Sequence, residues 1–200
     1  IMSKHSNICN NIHLPLQAGS NYILKRMNRT YTRSEYLSLV QKIKKYMPDC
    51  TLSTDIIVGF PGETDEHFSH TVDIMKEVRF NSAFMFKYSS RPGTKAENFS
   101  DHLDEKVKQS RLEKIIEIQK KITTDMNMEL IGTVQDVIVE KESKKSSSCW
   151  AGRTMGNTWV IFDKGTYKIK DKVKLLIYDA QGVSLFGKKI NLKEPYYETN

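Results

Sequence analysis

Three short stretches carry the groups needed to hold a polar ligand. His13-Leu14-Pro15-Leu16-Gln17-Ala18-Gly19-Ser20 offers a carboxamide at Gln17, a hydroxyl at Ser20, and small residues that leave backbone N–H groups approachable. Ser53-Thr54-Asp55-Ile56-Ile57-Val58-Gly59-Phe60-Pro61-Gly62-Glu63-Thr64 sets the carboxylate of Asp55 near Ile57 and Gly59. Its glycines permit close backbone approach, and the helix start that follows favours anionic groups. It is neither a P-loop nor the dinucleotide glycine pattern, because no Gly-Lys-Ser/Thr follows and the glycine spacing is wrong. Tyr88-Ser89-Ser90-Arg91-Pro92-Gly93-Thr94 is the third. Taken alone, the first stretch also reads as a plain strand-to-helix turn; three such loops at the same end of consecutive strands weigh more than any one.

The titratable side chains nearby are read more plainly. His13 is expected to be a buried, satisfied histidine and Glu63 a charge that steadies a helix N-terminus. Arg26 and Arg29 are either contacts for a carboxylate or RNA phosphate, or ordinary helix-surface salt bridges. Cys9, Cys50 and Cys149 match no disulfide framework and no tight metal-ligand spacing, so reduced, cytoplasmic thiols are expected and no metal ligand is assigned.

The elements that must position these loops alternate in period. Ile12 to Leu16 reads as a strand. A helix follows from Thr32, where Thr32 and Glu35 have capping-box spacing, with an apolar face at Tyr36, Leu39, Val40, Ile43 and Met47 that Pro48 ends. Leu52 to Val58 is a second strand. Thr64 caps a second helix bearing Phe68, Val72, Met75 and Val78, and Ser82 to Tyr88 is a third strand. This βαβαβ order predicts a parallel sheet with right-handed crossovers. Three strands are too few for a sheet that buries both faces, so the remaining strands are expected upstream, in a longer polypeptide. A long charged helix over 104–130, with Leu112, Ile115, Ile116, Gln119, Ile122 and Met126 on one side, runs to the helix-stopping Gly132.

Beyond it the pattern becomes short alternating strands: Thr133 to Glu140, Cys149 to Met155, Thr158 to Phe162, Lys172 to Tyr178, and Val183 to Lys189. Five strands without intervening helix indicate a small five-stranded, OB-like closed β-barrel. The fold class is therefore α/β plus all-β, with domains 1–130 and 131–200. The barrel segment carries 12 Lys and Arg against 8 Asp and Glu, more than half of the chain's net charge of +7. Lys141, Lys144, Lys145 and Arg153 gather near Trp150 in sequence; phosphate neutralisation plus base stacking is a usual grip on RNA. Trp159, within Trp-Val-Ile-Phe, is expected to pack inward, leaving Trp150 as the stacking residue. No apolar run is long enough to cross a bilayer, so no membrane partner is expected.

The motifs HLPLQAGS, LKRMNRTYT, STDIIVGFPGETDE and FMFKYSSRPGT, in this order, resemble the radical SAM methylthiotransferase family, and IGTVQDVIVE, AGRT and VIFDKG resemble its TRAM domain, an RNA-binding β-barrel. The resemblance implies the C-terminal half of a radical SAM (β/α) barrel followed by TRAM. It implies S-adenosylmethionine as cofactor, with Asp55, Ile57 and Gly59 on the strand flanking its adenosine, and Gln17 and Ser20 as polar ligand contacts. It implies tRNA as partner, methylthiolated at C2 of N6-dimethylallyladenosine beside the anticodon. The Arg-Pro-Gly-Thr loop favours this over the branch that modifies a ribosomal protein; threonylcarbamoyl-adenosine tRNA, or a non-catalytic RNA-binding role, are the alternatives. The family usually has Ser where this chain has Ala18. The family's two [4Fe-4S] clusters are held by cysteine triplets, one of them CxxxCxxC, and this sequence has neither. The chain alone is therefore expected to be inactive, to contain no catalytic residue, and to depend on the missing N-terminal half of the same polypeptide.

Overall fold

The computed structural model describes residues 1–5, 7–144 and 146–190. They form two compact units, Ile1–Thr123 and a second beginning at Thr124. The first holds β1 (Asn11–His13), α1 (Asn21–Arg26), α2 (Arg33–Tyr46), β2 (Thr51–Val58), α3 (Asp65–Val78) and β3 (Ser82–Lys87); α4 (Glu105–Met128) follows. The second holds β4 (Val134–Glu142), β5 (Cys149–Thr154), β6 (Trp159–Asp163), β7 (Lys172–Gln181) and β8 (Ser184–Lys189).

In the first unit the strands lie in the order β1-β2-β3, all parallel. Strand β1 is shorter than the sequence suggests, because Pro15 supplies no N–H to a ladder. Its line nevertheless continues. Leu14 N–H donates to Ser53 O, Gln17 N–H donates to Asp55 O, and Ile57 N–H donates to Gln17 O, each at 2.8 Å. Both long crossover helices start where their caps were read. Thr32 and Glu35 form a reciprocal capping box on α2, and Thr64 and His67 form one on α3.

Alternation along β2 divides the sheet's faces. Leu52, Thr54, Ile56 and Val58 are buried. On this side Leu16, Tyr36, Val40, Cys50, Leu52, Ile74 and Phe80 join strands to α2 and α3 in one core. The opposite face carries Asp55 and Ile57, which pair in register with Phe84 and Phe86 of β3. Those two rings are 59% and 53% exposed, so this face is largely bare.

Helix α4 buries Lys108, Arg111, Ile115, Gln119 and Ile122, while Ile116, expected on the buried side, is 44% exposed. The stripe is rotated toward the two cations because each has a place to go. Arg111 reaches Glu63, and the methylenes of Lys108 fill the space left by Gly59, where a Cβ would lie 2.5 Å from Lys108 Cγ. Gln119 Nε2 donates to Phe80 O at 2.7 Å.

The second unit is a closed barrel, β4-β5-β6-β8-β7, whose neighbours are antiparallel except the parallel pair β6–β8. Val137, Val139, Val160, Phe162, Val173, Leu175, Ile177 and Leu185 fill it. Gly152 allows β5 to cross close to β4, since a Cβ there would sit 2.4 Å from Ile138 O. Among the described residues no helix is long and apolar enough to cross a membrane.

Candidate functional site

The ends of all three parallel strands open into one cavity of about 1190 Å³. The continuation of β1 contributes Gln17, β2 contributes Asp55 and Ile57, and the end of β3 contributes Phe86, Lys87 and Tyr88. Walls come from α1 with the segment after it (Tyr22 to Arg29) and from the loop Ser89 to Phe99. Beneath lies a second apolar core of Ala18, Ile23, Leu24, Phe60 and Tyr88, which fixes the floor against α1.

Gln17 is held in the left-handed region at φ 66. A non-glycine residue rarely adopts this conformation, which costs on the order of 1–3 kcal/mol and persists where the surroundings over-determine it. Here the surroundings are the two backbone bonds to β2. The strain turns the chain off the sheet and leaves Gln17 lining the cavity.

Asp55 is the one carboxylate among the lining residues. His13 Nε2 lies 3.4 Å from its Oδ1, and His13 Nδ1 lies 3.0 Å from Ser53 Oγ. His13 is thus exposed on the open face of the sheet and engaged at both nitrogens, rather than buried in the core. With Ser53 and Asp55 it forms a polar chain that orients the carboxylate. Nothing in the local sequence marks it; β1–β2 register brings residues 13 and 53 together.

Ser20 and Gly59 lie outside the lining. Ser20 is buried at the N-cap of α1 and makes no side-chain cap bond. Gly59, at φ +72, donates its N–H to Glu63 Oε2 at 2.7 Å. Glu63, read from sequence as a charge that steadies a helix N-terminus, is in addition a buried clamp. Its Oε2 also receives Arg111 Nη1 at 2.7 Å, and Arg111 Nη2 reaches Asp65 at 2.7 Å. Burial raises the Glu63 pKa, opposed by the Gly59 N–H and the Arg111 guanidinium.

The cavity mouth is cationic. Arg26 is ion-paired within the unit, 2.6 Å from Asp101, and stacked at 4.3 Å on Phe99. Lys87 pairs with Glu105 at 3.1 Å. Lys25, Arg29, Arg91 and Lys95 also line the space. Arg29 and the loop carrying Arg91 were singled out by sequence; Lys25 and Lys95 were not, and the two segments that carry these cations line one space only in the fold.

On the barrel, the two tryptophans exchange the orientations read from sequence. Trp150 pairs with Phe162 and Arg153 with Trp159 across β5–β6. Directly opposed residues share a face, so Trp150 follows buried Phe162 inward. It packs on the barrel core and donates Nε1–H to Tyr167 O at 3.1 Å. Trp159 faces outward, with Arg153 Cζ 4.2 Å and Lys141 Nζ 4.4 Å from its ring centroid. Lys144 is exposed in the β4–β5 loop, and Lys145 lies outside the described residues.

Among the described residues no group of three or more His, Cys, Asp or Glu is placed to hold a metal. Cys9 is exposed, Cys50 buried and Cys149 half-buried, and none lines the cavity. An iron–sulfur cluster does not fit the ligands of these residues. The lining suits a nucleoside better, with the carboxylate of Asp55 and the carboxamides of Gln17 and Asn28 as hydrogen-bonding groups beside Ile57, Phe60, Phe86 and Tyr88.

Comparison with known proteins follows the same division. Residues 2–75 match the radical SAM superfamily and residues 129–190 the TRAM domain. The tRNA-2-methylthio-N(6)-dimethylallyladenosine synthase of Christiangramia forsetii is 45% identical over 194 residues, 96% of this chain and 40% of that protein. The one from Finegoldia magna is 50% identical over 190 residues, covering 95% and 41%. The chain thus spans about two fifths of the length of these curated relatives. A solved structure of coproporphyrinogen III oxidase from Escherichia coli, titled a radical SAM enzyme, is 14% identical with a TM-score of 0.48, covering 73% of this chain and 41% of its own.

Proposed function

We propose that this chain belongs to the radical SAM methylthiotransferase family, with a TRAM domain after its radical SAM segment, and that it is part of an enzyme that methylthiolates N6-dimethylallyladenosine in tRNA at C2. The observation that carries the reading is 45–50% identity, across nearly the whole chain, to synthases named for that product. In this reading the cavity floor holds S-adenosylmethionine, which supplies radical and methyl-donor chemistry when bound. Asp55, steadied by His13, accepts hydrogen bonds from ribose hydroxyls. Gln17 offers its carboxamide, and Ile57 and the neighbouring rings face the adenine. Ser20 and Gly59 contribute by shaping the floor from behind. The [4Fe-4S] clusters belong to residues outside this chain.

Trp159, Lys141, Arg153 and Lys144 form the barrel's RNA contact, the ring stacking a base while the cations neutralise phosphate. A cytoplasmic location is part of the same proposal, as the compartment in which such a tRNA would be met. The test is turnover. A full-length protein containing this chain, reconstituted with iron–sulfur clusters and S-adenosylmethionine, converts dimethylallyladenosine-containing tRNA to its 2-methylthio form, read by nucleoside mass spectrometry. Intact clusters without that product would overturn the assignment. A purely RNA-binding role for the isolated chain is the second reading, supported by the match of residues 129–190 to the TRAM domain; it predicts tRNA binding with no cleavage of S-adenosylmethionine.

A further inference from the structure

We infer that the mouth of the first unit's cavity is itself a phosphate-binding site, built from Lys25, Arg29, Arg91 and Lys95 for the backbone of an RNA strand. This rests on the reading above that the substrate is RNA, and adds a second grip to the one on the barrel.

The first observation is a contrast within one lining. Six cations line the cavity against the single carboxylate Asp55. Two are neutralised in place, Arg26 by Asp101 and Lys87 by Glu105. The other four have no ion-pair partner among the described residues, although ion pairs are common elsewhere: Arg33 with Glu77, Lys108 with Glu105, Arg111 with Glu63, Lys172 and Lys174 with Asp136. The nearest acid in sequence is otherwise engaged. Glu97 Oε2 accepts the Gly93 N–H at 2.8 Å instead of reaching Arg91 or Lys95.

The second observation is that both segments carrying these cations have fixed backbones. Asn28 at φ 58 breaks α1, and the Arg29 N–H returns to Leu24 O at 2.9 Å, which directs residue 29 to the lining. Across the cavity, Arg91 O accepts both the hydroxyl of Thr94 at 2.8 Å and its N–H at 3.2 Å, and a 3-10 turn at Lys95–Asn98 follows. Like charges held toward one space repel each other unless an anion enters it.

The chemistry selects the anion. One carboxylate on a small ligand needs one or two of these cations. Four, from two segments, suit consecutive phosphates, and the two arginines bring the planar fork that phosphate oxygens accept.

The experiment uses the whole chain and a tRNA, with affinity measured by fluorescence anisotropy over a salt series. The variant Lys25→Ala/Arg29→Ala/Arg91→Ala/Lys95→Ala makes the slope of log K against log salt shallower by about 3–3.5, since each lost phosphate contact removes about 0.7–0.9. The single changes Arg29→Ala and Arg91→Ala, which guard against misfolding of the fourfold variant, each remove about 0.7–0.9, while Arg29→Lys/Arg91→Lys keeps the slope. Lys141→Ala/Arg153→Ala on the barrel lowers it independently. A wild-type slope in the fourfold variant overturns the inference. So does loss of S-adenosylmethionine binding, by calorimetry, with the RNA slope intact; the cations would then serve the cofactor's carboxylate. Failure of the wild-type chain to bind tRNA would instead sink the RNA reading itself.

Discussion

In the barrel every strand has a neighbour on each side; in the sheet only β2 does. The barrel's apolar residues turn inward to a single core. The sheet buries one face under α2 and α3 and leaves Phe84 and Phe86 open on the other. Self-closure and incompleteness sit side by side in one chain, and they place chemistry differently. The barrel presents its cations on a finished outer wall, around Trp159. The sheet presents its groups at strand ends, where the ladder stops and Gln17 leaves it. A site at the end of an unfinished sheet depends on long-range clamps; a patch on a closed wall depends on register.

The largest effects should separate the two. Glu63→Ala removes the buried carboxylate of the Arg111 clamp and leaves the guanidinium only the exposed Asp65, and breaking such a buried pair costs about 3–5 kcal/mol. Leu185→Ala, in the barrel core, costs about 2–5 kcal/mol. Both tryptophans of the chain lie in the barrel, so urea titrations followed by tryptophan fluorescence report that unit, while helical circular dichroism is dominated by the other. The first substitution is expected to shift the dichroism transition and spare the fluorescence transition, and the second to do the reverse. A common shift in both signals would dissolve the contrast.

Next in size are the tryptophans. Trp150→Phe forfeits the bond to Tyr167 O and part of the core contact, at about 1–3 kcal/mol. Trp159→Ala lies outside the core and is expected to cost under about 1 kcal/mol of stability while weakening RNA binding by about 1–3 kcal/mol. Equal stability losses would mean that Trp159 is structural after all.

At the cavity, Gln17→Gly relieves the left-handed backbone and is expected to leave stability unchanged or raise it by about 1 kcal/mol. Affinity for S-adenosylmethionine, by calorimetry, should fall about tenfold, as one lost hydrogen bond implies. Destabilisation with affinity intact would assign the residue to the sheet alone.

The smallest effect is in pH. The raised pKa of Glu63 means that the folded state takes up its proton more readily than the unfolded state. This favours the fold at low pH, and the advantage is lost as pH rises through the folded value. Relative to Glu63→Gln, the wild-type chain should therefore gain stability as pH falls from neutrality toward the ordinary glutamic-acid value of about 4.3, in chemical denaturation at each pH. An opposite trend would place Arg111, rather than burial, in control.

What sequence alone could reveal divides along lines of distance. The caps at Thr32 and Thr64 were legible because both partners sit within one turn. The parallel order of β1 to β3 and the five-stranded barrel were legible from period and turns. Helix α1 was missed, since six residues carry too little periodicity. The clamp between Glu63 and Arg111 spans 48 positions, and no local pattern links them. The tryptophan orientations were unreadable for another reason: Trp159-Val160-Ile161-Phe162 is apolar throughout, so alternation names no inward face. Pairing with β5 decides it, on a strand whose other neighbour carries a register shift between Val139 and Lys141.

The bare side of the sheet also bears on how the protein behaves in bulk. Among the described residues β1 and β3 each have an unpaired edge, and Phe84 and Phe86 lie beside one of them, which for this stretch of chain taken alone is the arrangement by which strands from separate molecules add to one another. What keeps copies apart in dilute buffer is their shared net charge of +7. Electrolyte screens that repulsion within about 10 Å at 0.1 M, so the salt series that tests the proposed RNA contact also lowers the barrier to approach between copies.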